Sequence, residues 1–337
     1  MLEKLKALFG FGRRAPAPAA PESRERAPRA EDSEADRKPR EEPRPATQAA
    51  APALGADAQA FYAGLRDPEP SEDLQALAPD DRLFVSGVLK LLREQALRIP
   101  VLPQAALEIS RLLSDPSASA SRFAKVLEAD PGLSMDVLRI ANSAYYGFGS
   151  ATTSVRTAVV RIGLTQLRGL IIVTHLHGKV LQGGTLAREA SWLSELSLGL
   201  AHAAQALAPD FGLRPDAAFT QGVLSHVEHF VILGTAAEVS REHKRRIQPT
   251  GQGLREAFAR CGTRVRELAA REWGLTEVLL GGKEQDPLAR SLRDLREALV
   301  AHWAGEAVLP AVAGAPPDRV AQALQRSAAA RPAAAEA

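Results

Sequence analysis

The chain has 337 residues, 45% of them hydrophobic and only 5% aromatic. This length allows one large or two small domains with tails. The formal net charge of +2 is too balanced to indicate a nucleic-acid partner, and the single cysteine, Cys261, excludes an internal disulfide and a thiolate metal cluster. No apolar run approaches the ~20 residues of a membrane span, and the first residues lack the apolar core of a secretory signal, so we expect a cytoplasmic protein.

Residues 1–14 form a short segment of their own. Leu2, Leu5, Leu8 and Phe9 share one helical face, and Lys and Arg side chains surround it. This pattern predicts a docking peptide for a protein partner or for an anionic membrane surface, which would place the protein at the membrane periphery. The alternative is a frayed terminus, because so short a peptide is only marginally helical by itself.

Residues 15–55 are rich in Ala, Pro and charges of both signs. They hold almost nothing apolar that is larger than Ala, so burial cannot offset the entropy lost on ordering them. We predict a disordered, extended linker that lets the N-terminal peptide reach away from the folded body.

Apolar periodicity typical of helices begins near residue 57. Residues 57–94 are predicted to be an N-terminal helical extension, whose last helix runs to about Leu97. Pro100 breaks that helix and Pro103 can begin the next one. No segment alternates as a half-buried strand would, so the pattern favours an all-α fold.

The stretch DPGLSMDVLRIANSAYYG, residues 130–147, is the most informative part of the chain. Asp130 can cap a helix and Pro131 fits its first turn. The apolar side chains that follow recur at helical spacing, which predicts a buried face. Asn142 and Ser143 come where this helix ends, and we expect Asn142 to be buried and to hydrogen-bond a neighbouring backbone.

With its flanks, this stretch resembles the HDOD domain, a bacterial signalling module related to HD phosphohydrolases. IPVLP precedes it at residues 99–103, and SVRTAVVRIGLTQLRGL follows it at residues 154–170. The resemblance covers about residues 95–305: a signature half at 95–182 and a degenerate HD-like half at 185–305. It implies a multi-helical bundle in which one helical subdomain packs on the other. The family signature, which we interpret as structural, consists of Asp130, Pro131, Leu133, Leu138, Asn142, Ser143 and Gly163.

The second half of the domain follows a predicted hinge at Gln182-Gly183-Gly184. Helices are predicted at about residues 191–207, 215–227, 230–246, 254–273 and 288–303, with a loop at 248–253. Residues 306–337 are predicted to be an Ala/Pro-rich tail that holds one short helix, Asp318–Arg326, and ends in disorder.

The resemblance also implies where a metal site would lie. HD hydrolases hold metal ions through separated histidines and a His-Asp pair, which HDOD relatives often keep in a segment like GLLHDIG. Residues 222–228 read GVLSHVE, so Ser225 and His226 stand at a degenerate HD position. Phe258 and Gly281-Gly282-Lys283 stand where further family histidines are expected. We therefore predict no metal, no cofactor and no catalytic residue.

The remaining histidines leave one alternative open. His226 and His229 are three residues apart on a predicted helix, a spacing that can share a metal with His202 or His243. The competing interpretation, which we prefer, is that these are core or surface histidines satisfied by hydrogen bonds.

Arg241, Lys244, Arg245 and Arg246 crowd the end of one predicted helix. Cations are favourable at a helix C-terminus, so this cluster needs no ligand to explain it. The alternative is a patch for an acidic partner or for a nucleotide or cyclic dinucleotide, because arginine side chains grip phosphates. Aromatic residues do not interleave these basic residues, which argues against nucleic acid.

The resemblance implies a module that signals by binding rather than by catalysis. We therefore expect a scaffold or adaptor for other signalling proteins in a bacterial signal transduction pathway. One alternative is a nucleotide or cyclic-dinucleotide sensor that uses arginines. A second is a metal-dependent HD phosphohydrolase.

Overall fold

The structure, a computed structural model, describes residues 56–328 except for residues 64, 66–69, 72, 114, 116, 143–145, 147–149, 185, 281–286 and 305. The predicted docking peptide and linker lie outside the described residues, as do residues 329–337. Within the described ranges the chain forms helices and no strand, which confirms the predicted all-α fold.

Fifteen α-helices are present in the described ranges. They are α1 (Ala56–Ala63), α2 (Pro79–Arg93), α3 (Gln104–Leu113), α4 (Ala120–Glu128), α5 (Pro131–Ala141), α6 (Val155–Ile162), α7 (Leu164–Gly183), α8 (Ala187–Leu207), α9 (Pro215–Val223), α10 (Val227–Gly234), α11 (Ala236–Glu242), α12 (Gly251–Glu272), α13 (Thr276–Leu280), α14 (Pro287–Ala304) and α15 (Pro317–Ala328). Short 3-10 helices lie at Leu74–Ala76 and Ala208–Phe211.

The predicted signature stretch forms α5, and its first residues set where the helix begins. The Asp130 carboxylate accepts the backbone N–H of Leu133 at 3.1 Å, and Pro131 occupies the first turn. Leu133, Val137 and Ala141 are buried against the neighbouring helices α4 and α6. The predicted cap and buried face are therefore both confirmed.

Asn142 fixes the chain that leaves α5. Its side-chain amide donates to the carbonyl of Thr152 at 2.8 Å and accepts the backbone N–H of Thr152 at 2.8 Å. The predicted bond to a neighbouring backbone is thus present, but Asn142 is exposed rather than buried as we expected. Arg161 completes this corner by donating to the carbonyls of Ala141, at 3.1 Å, and Ser150, at 3.2 Å.

Helix α7 joins the two halves of the molecule. It contacts α3 on the signature side and α8, α9 and α10 on the HD-like side. Gly163, with φ +93°, allows the sharp turn from α6 into α7. Among the described helices none is by itself long and apolar enough to cross a bilayer; Val155–Ile162 and Gln166–Gln182 reach that length and composition only together, with a 107° bend between them.

The HD-like half is built around α8, which contacts α7, α9, α10, α14 and α15. Gly222 lets α9 approach α8 closely, because a Cβ there would lie 2.6 Å from the Cα of Ala201. Helix α12 packs on α10 from another side and also contacts α2. These contacts bring the turn between α9 and α10 close to α12, and that turn carries Ser225 and His226.

Both ends of the described chain pack on this half, although the sequence suggested appendages. Tyr62 of α1 donates its hydroxyl to the carbonyl of Trp192 at 3.1 Å, and its ring lies 5.7 Å from that of Trp303. The short helix predicted at Asp318–Arg326 is present as α15, where Val320 and Leu324 are buried. Part of the predicted tail, residues 306–337, is therefore core, and the folded body extends past residue 305.

Several helix boundaries differ from the predicted ones. The helix predicted to reach Leu97 ends at Arg93, and Gln95 then adopts a left-handed φ of +54°. The helix predicted at 215–227 ends at Val223, and the one predicted at 230–246 is divided at Thr235 into α10 and α11. The predicted 248–253 loop is shorter, because α12 begins at Gly251.

Candidate functional site

The segment GVLSHVE forms a tight turn between two helices. Helix α9 ends at Val223, and α10 begins at Val227. The Ser225 hydroxyl donates to the carbonyl of Gly222 at 2.7 Å, which holds the serine back against the end of α9. His226 stands just before α10, so its ring enters the interior while Ser225 stays half-buried.

His226 is 1% exposed, and the hydrogen-bond contacts of its ring are made by Nδ1. Nδ1 lies 2.9 Å from the Ser225 hydroxyl and 3.3 Å from the Ser197 hydroxyl of α8. Nε2 is buried and has no hydrogen-bond partner in the described part of the chain. Burial lowers the pKa of His226 well below its usual 6.5, and the nearby charges of His229 and Arg296 act in the same direction. The imidazole is therefore neutral.

Glu228 is the buried carboxylate of the site. Arg266 of α12 donates from Nη2 to its Oε1 at 2.7 Å and from the same nitrogen to the carbonyl of Ser225. His229 Nδ1 lies 3.2 Å from Oε1, and the His229 ring packs edge-on against Phe258. Burial by itself would raise the pKa of Glu228, but the charge of Arg266 outweighs it and the net pKa is lowered, so the carboxylate is ionised.

A cavity of about 290 Å³ opens beside this turn. One part of its wall is polar and cationic, and the other is apolar. Its lining residues are Leu200, Gln221, Ser225, His226, Arg266, Val278, Leu279, Leu292, Arg293 and Arg296. The lining thus combines three arginines with aliphatic side chains.

Comparison with known proteins identifies the fold around this cavity. Residues 99–280 match the model of the HDOD domain. The chain belongs to the HDOD domain family. An uncharacterised protein of Treponema pallidum (strain Nichols) is 34% identical over 119 residues, which span 33% of this chain but only 23% of that protein.

One solved structure agrees with this assignment at the level of fold. A protein named "Putative metal-dependent phosphohydrolase", from Shewanella amazonensis SB2B, is 20% identical and aligns with a TM-score of 0.53 over 75% of this chain and 99% of that chain. An HDOD domain protein with unknown function from Geobacter sulfurreducens is 21% identical, with a TM-score of 0.42 over 72% of this chain and 89% of that one. At 20% identity, the Shewanella amazonensis structure supports a shared fold and nothing finer.

The residues of this HDOD domain do not fit the metal site of HD hydrolases. The Glu228 carboxylate is already paired with Arg266, and the His226 Nδ1 is turned toward two serines. The described residues that line the cavity include three arginines and no acidic side chain, so the lining offers no carboxylate ligand to a metal ion. Within the described residues no three His, Cys, Asp or Glu side chains are placed to hold a metal ion.

The other histidines lie away from this turn or are engaged elsewhere. The His202 ring packs between Phe219 and Tyr146, and His243 is exposed at the end of α11. His226 and His229 do lie together, with ring centroids 5.5 Å apart, as their spacing suggested. Cys261 is a buried core thiol, and burial raises its pKa to about 12.

The predicted basic patch is exposed at the end of α11 and is not among the residues that line the cavity. Arg245 forms an ion pair with Asp80 at 2.5 Å, and Arg246 donates to the carbonyl of Gly184 at 3.4 Å. These contacts fasten α11 to its neighbours. Ser143 of the signature and the docking residues Leu2, Leu5, Leu8 and Phe9 lie outside the described residues.

Sequence reasoning missed Arg266, although a signal for it was present. Phe258, Gly262 and Arg266 recur every four residues and so share one face of α12. A Cβ at Gly262 would lie 3.7 Å from the Cγ of Glu228, which shows that this face packs on the turn. Arg293 and Arg296 gave no such signal, because α14 is folded against α8 by contacts distant in sequence.

Proposed function

We propose that this HDOD protein is non-catalytic and acts as a protein-binding scaffold or adaptor in a bacterial signal transduction pathway. The proposal rests on one observation. Where HD hydrolases keep a His-Asp pair, this chain has Ser225-His226, and Arg266 forms an ion pair with the neighbouring Glu228 carboxylate. Hydrolysis by HD enzymes depends on metal ions that lower the pKa of a bound water and stabilise developing charge. A chain that lacks the metal ligands cannot carry out metal-dependent hydrolysis, but it keeps the helical surface through which a scaffold would bind its partners.

Metal content and turnover test the non-catalytic part. We expect purified full-length protein, incubated with Mn²⁺, Fe²⁺, Zn²⁺ and Ni²⁺ in turn and then desalted, to retain substoichiometric metal by elemental analysis. We also expect no hydrolysis of bis(p-nitrophenyl) phosphate with any of the four. An active HD hydrolase treated in parallel is the positive control. Stoichiometric metal together with turnover would refute the proposal.

The scaffold part rests on residues 1–14, whose apolar face and basic rim are those of a docking peptide. We propose that this peptide recruits the protein to a partner or to an anionic membrane surface. Leu5→Asp/Leu8→Asp should abolish capture of the partner from cell extract or co-sedimentation with anionic vesicles. The matched control, Ala19→Asp/Ala20→Asp, adds the same charge in the linker and should retain both. Equal behaviour of the two double variants would refute recruitment through this peptide.

A further inference from the structure

One face of α7 carries basic side chains that lack an acidic partner within the described ranges. Arg168, His175 and Lys179 follow one another at intervals of seven and four residues, so they share one side of the helix, which we call the basic face of α7. Arg168 is half-buried, and its Nε is buried without a hydrogen-bond partner. Among the described residues, the side chains of Arg168 and Lys179 form neither an ion pair nor a hydrogen bond.

The electrostatics of this face agree with the lack of a counter-charge. Burial lowers the pKa of Arg168, and no acid in the described part of the chain raises it again. The pKa of His175 is lowered by burial and then by the charge of Lys179, and no described carboxylate opposes them. A partly buried cation without a partner is costly, so the basic face favours an anionic partner.

The middle of the basic face is open. The ring of His175 hydrogen-bonds the backbone of Val101, so Val101 lies beside it. Val101 is 76% exposed, which shows that no described part of the chain covers this region. Arg168 and Lys179 are about 16 Å apart along the helix axis. That separation suits an extended acidic segment of five or six residues better than a single small anion.

The predicted linker of this chain contains such a segment. Residues 31–36, EDSEAD, carry four carboxylates and no cation, whereas the other acidic residues of the linker are interleaved with arginines. An extended segment of this length spans about 17 Å, which matches the distance from Arg168 to Lys179 along α7. The segment therefore complements the basic face in both charge and length.

The linker also joins the folded body close to α7. Asp57, in the first turn of α1, pairs with Arg188 at 2.9 Å, and Arg188 lies in the first turn of α8. Helix α7 ends at Gly183, only a few residues before α8 begins. As a random coil, residues 37–55 span roughly 24 Å, which is about the distance along α7 from its end back to Arg168. A segment tethered at this range has an effective concentration on the order of millimolar, so weak ion pairs suffice to hold it.

We propose that residues 31–36 dock on the basic face of α7, with their carboxylates paired with Arg168 and Lys179. This contact goes beyond the scaffold function and does not depend on it. Once the acidic segment is docked, only residues 15–30 remain to carry the docking peptide, so the contact restricts how far residues 1–14 reach from the folded body. The contact is electrostatic, so salt or a more acidic partner releases it.

A carbodiimide, which joins an amine to a carboxylate in contact with it, tests this docking in the full-length protein at low salt. We expect peptide mass spectrometry to find Lys179 linked to residues 31–36 about tenfold more often than to Glu42. Glu42 lies nearer the tether and would react first in a chain that does not dock. The control amine is Lys125, an exposed lysine of α4, which should show no preference for residues 31–36. At about 0.5 M NaCl the preference of Lys179 should disappear, because salt screens ion pairs.

Arg168→Gln should lower the yield of these links about threefold, because it removes one charge and leaves the reacting amine in place. The matched control is Arg255→Gln, at an exposed position of α12, which should leave the yield unchanged. Melting curves confirm that each variant is folded. Should Arg168→Gln unfold, the salt dependence and the comparison with Glu42 in the unchanged protein still decide. Links from Lys179 that spread evenly over the linker, or that form only between an isotope-labelled and an unlabelled molecule, would overturn the proposal, as would an equal loss of yield in both variants.

Discussion

Asp81 is an acidic residue that this fold buries almost completely, with 1% of its surface exposed. Its carboxylate accepts the backbone N–H of Thr250 at 2.6 Å and the Thr250 hydroxyl at 2.8 Å. One side chain therefore ties the first turn of α2 to the residue that caps α12. A buried carboxylate is tolerated only when such donors satisfy it.

We expect Asp81→Ala to lower the free energy of unfolding by about 2–3 kcal/mol, because two hydrogen bonds to a buried carboxylate are lost and the two Thr250 donors lose their acceptor. Urea denaturation of purified protein measures this. The matched control is Asp73→Ala, which removes the carboxylate that accepts the backbone N–H of Gln75 at 2.7 Å at an exposed 3-10 turn. That change should cost about 1 kcal/mol or less. An equal loss of unfolding free energy in Asp81→Ala and Asp73→Ala would contradict the idea that the buried position of Asp81 strengthens its contribution.

Whether a contact could be predicted from the sequence depended on how far apart its two residues lie along the chain. The cap made by Asp130 was predictable because its partner, Leu133, is three residues away. The Asp81–Thr250 bond joins residues 169 positions apart, and the Arg266–Glu228 pair joins residues 38 apart. No periodicity or spacing rule reaches across such distances. The degenerate HD position was visible in the sequence, whereas the arginines that surround it were not.

At the scale of elements, Gly222 sets how closely two core helices approach. A Cβ at this position would lie 2.6 Å from the Cα and 2.9 Å from the backbone nitrogen of Ala201, so backbone rather than a flexible side chain would have to move. We expect Gly222→Ala to destabilise the protein by about 1–3 kcal/mol through overpacking.

Gly178→Ala is the matched control for this substitution. Gly178 lies inside α7, and a Cβ there would meet nothing within 4 Å. Alanine is a better helix former than glycine by about 1 kcal/mol, so this variant should be neutral or more stable. Thermal denaturation of both variants gives the comparison. Stabilisation by both substitutions would mean that α8 and α9 are less tightly packed than the structure indicates.

Helices were easier to predict than the breaks between them. The residues from Val223 to Leu233 are mostly apolar, and all of them except the half-buried Ser225 are buried. Apolar periodicity locates a helix only where one face is exposed, so it could not place the end of α9 or the start of α10. The end of α5 was easier to place because two polar residues, Asn142 and Ser143, follow its last apolar residue. The turn that carries the site was therefore the part of the second half least open to prediction.

At the scale of the whole molecule, the segments that precede and follow the HDOD-matching residues 99–280 pack on the domain and stabilise it. Helices α1 and α2 precede the matched residues and pack on α12, and α15 follows them and packs on α8. The sequence suggested appendages at α1 and α15 because these two helices are short and Ala-rich. Each one buries a few large side chains, such as Tyr62, Phe84 and Leu324, in one continuous core. Such contacts are invisible to a pattern read along the chain.

This continuous core also makes stability depend on pH. Burial lowers the pKa of His177 from 6.5 to about 4 and that of His202 from 6.5 to about 3. Both imidazoles are therefore neutral in the folded protein and take up protons on unfolding below pH 6.5. Their contribution is fully present above that pH and is lost as the pH falls toward the folded-state pKa values.

Between pH 7.5 and pH 5 we expect a loss of about 2 kcal/mol from each histidine, which lowers the melting temperature on the order of 10 °C. Differential scanning calorimetry at a series of pH values measures it. His177→Gln should make the dependence on pH shallower even if the variant is less stable, because one titrating group is gone. His243→Gln, at an exposed position, should leave the dependence unchanged. A melting temperature that stays constant over this range would contradict the burial of both rings.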